Sequence, residues 1–222
     1  MSLTSAMLRV YFVMGSQDCR GKNPVEVLEE AIAGGITLFQ FREKGSGLTI
    51  PETLELGRQL RDLCRSYKIP FIMNDRVDLA LLLDADGVHV GQEDIPAQEV
   101  RKLIGSDRIL GVSVETPTEA LLAKQNGADY IGVGPMYTTS SKPDAGTPIG
   151  PDAIASIHQQ FSSSLPIVGI GGVNADNALP VIQAGASGVA VISAIAAADS
   201  PEKAAKQIRE IVEKGLQKNP AD

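Results

Sequence analysis

The fold of this chain is decided by residues 71–94, FIMNDRVDLALLLDADGVHVGQED, which have the pattern of a strand, a helix and a second strand. FIM and GVHV are short apolar runs, and VDLALLL between them has helical spacing. Two strands joined by a helix lie parallel, so the loops that follow them emerge at the same edge of the sheet. Because neighbouring strands lie about 5 Å apart, Asp75 and Asp94 are expected to be close enough to share a hard cation. The stretch therefore predicts a Mg²⁺ site at the end of a parallel sheet.

The same alternation of strand and helix patterns extends over the rest of the chain. Strands are predicted at residues 8–14, 36–41, 71–73, 87–90, 109–114, 130–133, 166–170 and 188–192, and helices at 24–34, 51–67, 77–83, 96–104, 116–126, 151–160, 174–184 and 201–215. Strict alternation of this kind predicts an α/β protein with a single (β/α)8 TIM barrel over residues 1–222 and an active site on the loops after the strands. A doubly wound open sheet is the competing arrangement, although no strand is followed by a dinucleotide fingerprint.

Composition limits the classes of partner. The 222 residues are 43% hydrophobic and 21% charged, which is typical of a globular domain. A formal net charge of −7 without a basic block argues against non-specific nucleic-acid binding. The sequence contains neither a secretory signal pattern nor an apolar run long enough to span a membrane, so a cytoplasmic location without membrane association is expected. The sequence leaves open whether the chain forms a homo-oligomer.

Charged residues follow the second predicted strand. Strand alternation sends Gln40, Arg42 and Lys44 to one side and Phe41 and Glu43 to the other. Two cations and an amide that converge on the barrel mouth suit an anion, because Arg offers a bidentate fork and Lys a point charge. A charged surface loop is an equally simple explanation of this motif taken alone.

Oxygen ligands follow the third and fourth strands. Asn74, Asp75 and Asp94 offer the hard donors that Mg²⁺ prefers, and they leave positions for water and a substrate phosphate. Helix capping is the alternative role for both aspartates, since a helix is predicted shortly after each of them. His89 is expected to pack or hydrogen-bond within the fourth strand rather than to bind metal.

Hydroxyl groups follow the fifth and sixth strands. Ser113 has no His close to it in sequence, so it is interpreted as a hydrogen-bond donor rather than a nucleophile. The loop after strand six combines Thr139, Ser140 and Ser141 with the cation of Lys142. Such a long loop is typical of a lid or a binding loop, although a hydroxyl-rich loop can also be merely solvated.

Glycine and small residues follow the last two strands. The segments around Gly172 and around Ile192 and Ser193 are expected to present free backbone N–H groups to a phosphate monoester, with a tight turn as the alternative for the glycines. Each loop is numbered by the strand that it follows. Loops two to six then form a metal-assisted anion site, and loops seven and eight form a metal-free site. Two phosphorylated small-molecule substrates would explain both sites.

Seven motifs in this order resemble the thiamine phosphate synthase family, also called thiamine-phosphate pyrophosphorylase: QFREK at 40–44, ND at 74–75, GQED at 91–94, GVS at 111–113, GPMYTTSSK at 134–142, VGIGG at 168–172 and VISAI at 191–195. The resemblance covers residues 11–195. It implies a (β/α)8 barrel and a transferase of thiamine biosynthesis. The implied reaction joins 4-amino-2-methyl-5-(diphosphooxymethyl)pyrimidine to a thiazole phosphate, gives thiamine phosphate and pyrophosphate, and is assisted by Mg²⁺ along a dissociative path.

The resemblance also implies a role for each motif. The pyrimidine diphosphate would be held by Gln40, Arg42, Lys44, Asn74 and Lys142, with a hydrogen bond from Ser113, and the metal by Asp75 and Asp94. The thiazole phosphate would contact Thr139, Ser141, Gly172, Ile192 and Ser193. Phe41, Glu43 and Ser140 are included in the substrate site as members of the same motifs, and the expected catalytic residues are Arg42, Lys44, Ser113 and Lys142.

Three other functions remain to be compared with this one. A thiazole tautomerase would need an acid–base residue and no diphosphate site; Glu115 stands where related proteins carry a His, which argues against that activity. A non-catalytic ligand-binding barrel would have lost the metal or diphosphate side chains, and these are present. A sugar-phosphate isomerase or aldolase would need a base or a Schiff-base Lys within a strand, for which the sequence offers no clear candidate.

Overall fold

The predicted strands close into a parallel barrel in the computed structural model, which describes residues 2–141, 146–161 and 164–217. Each strand pairs in parallel with the next along the chain, and the last pairs with the first. This confirms the (β/α)8 fold and excludes the open sheet. The strands are β1 (Val10–Met14), β2 (Leu38–Phe41), β3 (Phe71–Asn74), β4 (Gly87–Val90), β5 (Ile109–Val114), β6 (Tyr130–Val133), β7 (Ile167–Ile170) and β8 (Gly188–Val191).

Helices surround the barrel between successive strands. They are α1 (Pro24–Ala33), α2 (Ile50–Ser66), α3 (Val77–Leu82), α4 (Ala97–Ile104), α5 (Pro117–Gln125), α6 (Pro151–Phe161), α7 (Ala178–Gln183), α8 (Ser193–Ala196) and α9 (Pro201–Gln217), with short 3-10 helices at Ser5–Leu8 and Ser16–Cys19. Local sequence fixes the starts of two helices: Thr49 before α2 and Thr116 before α5 each form a capping box, and each helix has a Pro in its first turn. Within the described ranges, no helix is long and apolar enough to cross a membrane.

Three of the differences from the sequence prediction have a clear local cause. The first strand begins at Val10 rather than Leu8, because Leu8 ends a 3-10 helix. The helix predicted from Asn174 begins only at Ala178, since the Asn177 side chain accepts a hydrogen bond from the Asn174 backbone N–H and holds a turn there. Helix α8 was not predicted, because four residues are too few to show a helical period.

The apolar residues form two layers, separated by the sheet. Outside the barrel, the rings of Phe12, Phe39, Phe71 and Phe41 contact one another in that order, with successive ring centroids 5.8 to 6.2 Å apart, and pack under the helices. Inside it, a smaller cluster that includes Tyr11, Val13, Leu38, Ile72, Tyr130 and Val168 fills the lower part of the barrel. The upper part is lined by polar residues and opens into a cavity at the carboxyl ends of the strands.

Candidate active site

The carboxyl ends of the strands enclose a cavity of about 820 Å³. Most of the predicted site residues line it: Arg42, Lys44, Asn74, Asp75, Asp94, Ser113, Thr139, Ser140, Ser141, Gly172, Ile192 and Ser193. The strand order explains this convergence, because a closed parallel barrel brings all the loops that follow the strands to one end. Lys142, the remaining cation of the prediction, lies outside the described residues.

Loop two divides its side chains as strand alternation requires. Arg42 lines the cavity with only 5% of its surface exposed, so the surface-loop alternative does not apply to it. Gln40, which was also expected to hold the pyrimidine diphosphate, is not among the residues that line the cavity: it is buried, and its amide donates to the Tyr11 hydroxyl. Lys44 lines the cavity and forms an ion pair with Asp75, with 3.3 Å between Nζ and Oδ2.

Phe41 and Glu43 require a correction, because neither is among the residues that line the cavity. Phe41 is fully buried between the sheet and the helices, with its ring centroid 6.2 Å from that of Phe71. The Glu43 carboxylate accepts hydrogen bonds from the Ser16 backbone N–H at 2.9 Å and the Ser16 hydroxyl at 2.6 Å, so it fastens loop two to loop one. Both were expected to contact substrate because they belong to the motif, whereas their side chains point away from the cavity and make contacts within the protein.

Asp75 and Asp94 form a close acid pair at the ends of β3 and β4. Burial raises the pKa of Asp75, and the Asp94 carboxyl, which lies within hydrogen-bonding reach, raises it further, while Lys44 opposes the shift. Asp94 is itself fixed by the Gly91 backbone N–H, which donates to its Oδ2 at 2.7 Å. Two carboxylates held together against their repulsion are a donor set that suits a divalent cation.

The helix-capping alternative fails for both aspartates. The residues that precede α3 and α4 are Arg76 and Pro96, and neither helix start has a side-chain cap. Asp75 instead adopts a left-handed backbone conformation with φ of 55°, which is uncommon outside glycine. In the described part of the chain, no group of three or more His, Cys, Asp or Glu side chains is placed to hold a metal. The two carboxylates of the acid pair are hard oxygen donors of the kind Mg²⁺ prefers, and such a cation would complete its shell with water and substrate oxygens.

Loops six, seven and eight form the opposite wall. The Tyr137 backbone N–H donates to the Gly171 carbonyl at 2.9 Å, and the Ser141 hydroxyl donates to the Ser193 hydroxyl at 3.0 Å. Gly171 and Gly172 both have positive φ, and a Cβ on Gly172 would collide with the carbonyl of Thr138. Glycine is thus required here so that loop six can lie directly on loop seven. This wall offers hydroxyls and backbone groups, without a described carboxylate among the residues of loops seven and eight that line it.

Ser113 lies between the two walls, on the barrel floor. Its hydroxyl is 2.9 Å from Nε2 of His89, and its carbonyl accepts a hydrogen bond of 2.6 Å from Gln92. The imidazole of His89 is largely buried, and its Nδ1 is 2.9 Å from the Tyr130 hydroxyl. His89 therefore hydrogen-bonds inside the barrel, as its strand position predicted, but its approach to Ser113 was not foreseen.

Six further polar residues line the cavity without having been assigned a role from sequence: Arg20, Gln92, Glu93, Glu115, Thr138 and Asn174. Arg20 follows the 3-10 helix after β1 in a left-handed conformation with φ of 51°. Its only sequence signal is its place in a loop after a strand, which many other polar residues share. Glu115 lies at the mouth, beside Gly146 of loop six.

Comparison with known proteins identifies a family. A sequence model described as thiamine monophosphate synthase matches residues 10–195. Thiamine-phosphate synthase of Geobacillus kaustophilus is 54% identical over 206 residues, which are 92% of each chain, and that of Geobacillus thermodenitrificans is 56% identical over 200 residues, 89% of each. A solved thiamine phosphate pyrophosphorylase from Pyrococcus furiosus superposes with a TM-score of 0.84 at 39% identity and covers 96% of this chain and 98% of its own.

Proposed function

The chain belongs to the thiamine monophosphate synthase family and is an enzyme of thiamine biosynthesis, and we propose that its barrel mouth joins a pyrimidine methyl diphosphate to a thiazole phosphate with the help of Mg²⁺. The products are thiamine phosphate and pyrophosphate. Both substrates are small molecules, and a cytoplasmic location remains a prediction from the sequence.

One observation supports the proposal most directly: a single cavity of about 820 Å³ has two chemically different walls. Loops two to four contribute Arg42, Lys44 and the acid pair Asp75 and Asp94, a combination that suits a diphosphate bound together with a divalent cation. Loops six to eight contribute hydroxyls and glycine backbone, which suit a phosphate monoester. A reaction between two phosphorylated substrates uses both walls, whereas a tautomerase would leave the first one without a purpose.

The metal would be held by Asp75 and Asp94. When bound there, Mg²⁺ would act as a Lewis acid that neutralises charge developing on the departing pyrophosphate. The raised pKa of Asp75 supports this assignment, because a buried carboxyl beside a second acid gains most from a cation. Asn74, which is also largely buried and lines the same wall, offers a neutral amide beside the acids.

The chain's own residues need to orient two reactants and stabilise charge rather than supply a nucleophile. We propose that the carbon–oxygen bond to the diphosphate breaks first and that its electron pair leaves with pyrophosphate. The aminopyrimidine stabilises the resulting methylene cation, and the thiazole nitrogen then donates its lone pair to form the carbon–nitrogen bond. Arg42 and Lys44 are placed to stabilise the leaving group, and Ser113 to orient the pyrimidine from below.

Exclusion of water is the second requirement, because water would trap a methylene cation. Loop six is suited to this role: Thr138, Thr139 and Ser140 line the cavity, and the hydrogen bond from Ser141 to Ser193 ties the loop to loop eight. The described part of the loop is thereby fixed beside loop eight at the cavity.

The test is release of pyrophosphate by the purified protein given both substrates, with and without Mg²⁺. We expect release that needs the metal and the thiazole phosphate, with thiamine phosphate accumulating in equal amount. Asp78→Asn provides a control variant, since Asp78 pairs with Arg76 on the exposed neighbouring turn and should leave the rate unchanged. Absence of release from folded protein would refute the proposal, and isomerisation of a thiazole phosphate alone would favour the tautomerase.

A further inference from the structure

A continuous chain of buried side-chain hydrogen bonds crosses the barrel below the cavity. It begins at the Gln40 amide, which donates from Nε2 to the Tyr11 hydroxyl, and continues to the Tyr130 hydroxyl at 2.7 Å. The Tyr130 hydroxyl is 2.9 Å from Nδ1 of His89, and Nε2 of His89 is 2.9 Å from the Ser113 hydroxyl. We call these five residues the polar chain. It joins strands β2, β1, β6, β4 and β5, and Ser113 is the member at the cavity floor that touches substrate in the proposed reaction.

Two glycines make room for the polar chain. Gly111 lies beside His89 and Tyr130 in the strand register, and a Cβ at this position would collide with the Tyr130 hydroxyl and with Nδ1 of His89. Gly132 lies beside Ser113, and a Cβ there would come within 3.3 Å of the imidazole. Gly111 therefore lies where any side chain would displace the junction between Tyr130 and His89, and Gly132 leaves room beside the imidazole.

With the Gln40 amide as donor, one direction of the protons satisfies every bond along the chain. A tyrosine hydroxyl has one proton, so Tyr11, which accepts from Gln40, donates to Tyr130. In this direction Tyr130 would donate to Nδ1 of His89, which would leave the imidazole proton on Nε2, directed at Ser113. Burial raises the pKa of both tyrosines, so both hydroxyls keep their protons.

We propose that the polar chain makes Ser113 a one-way donor: its oxygen is occupied by His89, and its own proton points into the cavity toward an acceptor atom of the pyrimidine. His89, Tyr130, Tyr11 and Gln40 are then positioning residues that act through Ser113. The inference rests on the proposed function for the identity of the acceptor, whereas the proton arrangement can be tested without any substrate.

The decisive measurement is the tautomer of His89, determined by proton–nitrogen correlation spectroscopy on protein labelled with nitrogen-15 at histidine. The chain has only two histidines, so His158→Gln, a change on the outer helix α6, assigns the signals. We expect a neutral imidazole with its proton on Nε2. A proton on Nδ1 would overturn the proposal, because every hydroxyl would then point the opposite way and Ser113 would donate to His89 instead.

A pair of variants separates positioning from support of the fold. His89→Asn offers an amide near the place of Nδ1 and keeps a partner for Tyr130, whereas His89→Gln offers an amide N–H near the place of Nε2 and keeps a donor for Ser113. We expect kcat/KM for the pyrimidine diphosphate to fall roughly tenfold in His89→Asn and only about threefold in His89→Gln, while KM for the thiazole phosphate stays within about twofold in both. Equal losses in the two variants, or a loss shared by both substrates, would contradict the proposal even where the synthase reaction itself is confirmed.

Discussion

Tyr130→Phe should destabilise the protein far more than removal of one oxygen atom suggests. The Tyr130 hydroxyl is fully buried and connects two partners, the Tyr11 hydroxyl at 2.7 Å and Nδ1 of His89 at 2.9 Å. Phenylalanine would leave both of them without this partner in the barrel interior. A buried polar group that loses its partner costs about 1–3 kcal/mol, so the variant should lose roughly 2–4 kcal/mol of unfolding free energy. For a chain of this length, that loss corresponds to a fall in Tm of about 5–15 °C.

Scanning calorimetry and urea unfolding of wild type and variant measure this loss. Tyr67→Phe is the matched control, because the same oxygen is removed from a side chain that is 52% exposed at the end of α2. The control should remain within about 0.5 kcal/mol of wild type. If Tyr130→Phe were no less stable than this control, the hydrogen bonds of the polar chain would not contribute to the fold and the reasoning above would be refuted.

Three further predictions concern the acid pair, Gly111 and the dependence of stability on pH. Asp75→Asn should lower turnover about a hundredfold in steady-state kinetics, and near-normal turnover would remove Asp75 from the metal site. Its Tm should not fall, because Asn tolerates the left-handed backbone and relieves the repulsion between the two carboxylates. Gly111→Ala should cost about 1–3 kcal/mol in urea unfolding and also reduce turnover, because its methyl group would displace the polar chain; an unchanged midpoint would argue against that packing. Burial raises the pKa of Asp18, so ionisation of this carboxyl opposes folding. The Tm of Asp18→Asn relative to wild type should therefore increase as the pH rises above about 4, and a difference in Tm that stays constant with pH would contradict this.

The sequence predicts the barrel well because each strand is a short apolar run between turn signals. Strands β4, β5 and β6 have the predicted boundaries, and the other strands differ by no more than two residues at an end. Periodicity records which face a residue takes, so it correctly turned Arg42 and Lys44 toward the mouth and Phe41 away from it. The inclusion of Phe41 among the substrate contacts was wrong because it followed motif membership and disregarded that alternation.

Contacts between distant strands could not be predicted in the same way. Alternation indicates that Tyr11, Gln40, His89, Ser113 and Tyr130 point inward, but the partner of each across the barrel depends on the stagger of the closed sheet. Turns held by side-chain hydrogen bonds are equally hard to predict from sequence. The apolar spacing predicts a helix from Asn174, but the hydrogen bond from the Asn174 backbone N–H to the Asn177 side chain holds a turn there, and the helix begins at Ala178. The position of Arg20 in the cavity lining could not be predicted, because a single cation in a loop gives no periodic pattern in the sequence.

The ion pair between Lys44 and Asp75 resolves the conflict between an acidic chain and phosphorylated substrates. With a formal net charge of −7, the protein repels a diphosphate at long range, and the acid pair would repel it locally. Lys44 lies 3.3 Å from Asp75 and offsets part of that charge while its own side chain stays half exposed, so it can change partners at low cost. A diphosphate that arrives with a divalent cation gives Asp75 and Asp94 a positive partner and leaves Lys44 available to a phosphate oxygen. Diphosphate and cation should therefore bind with positive coupling, since each removes the repulsion that opposes the other.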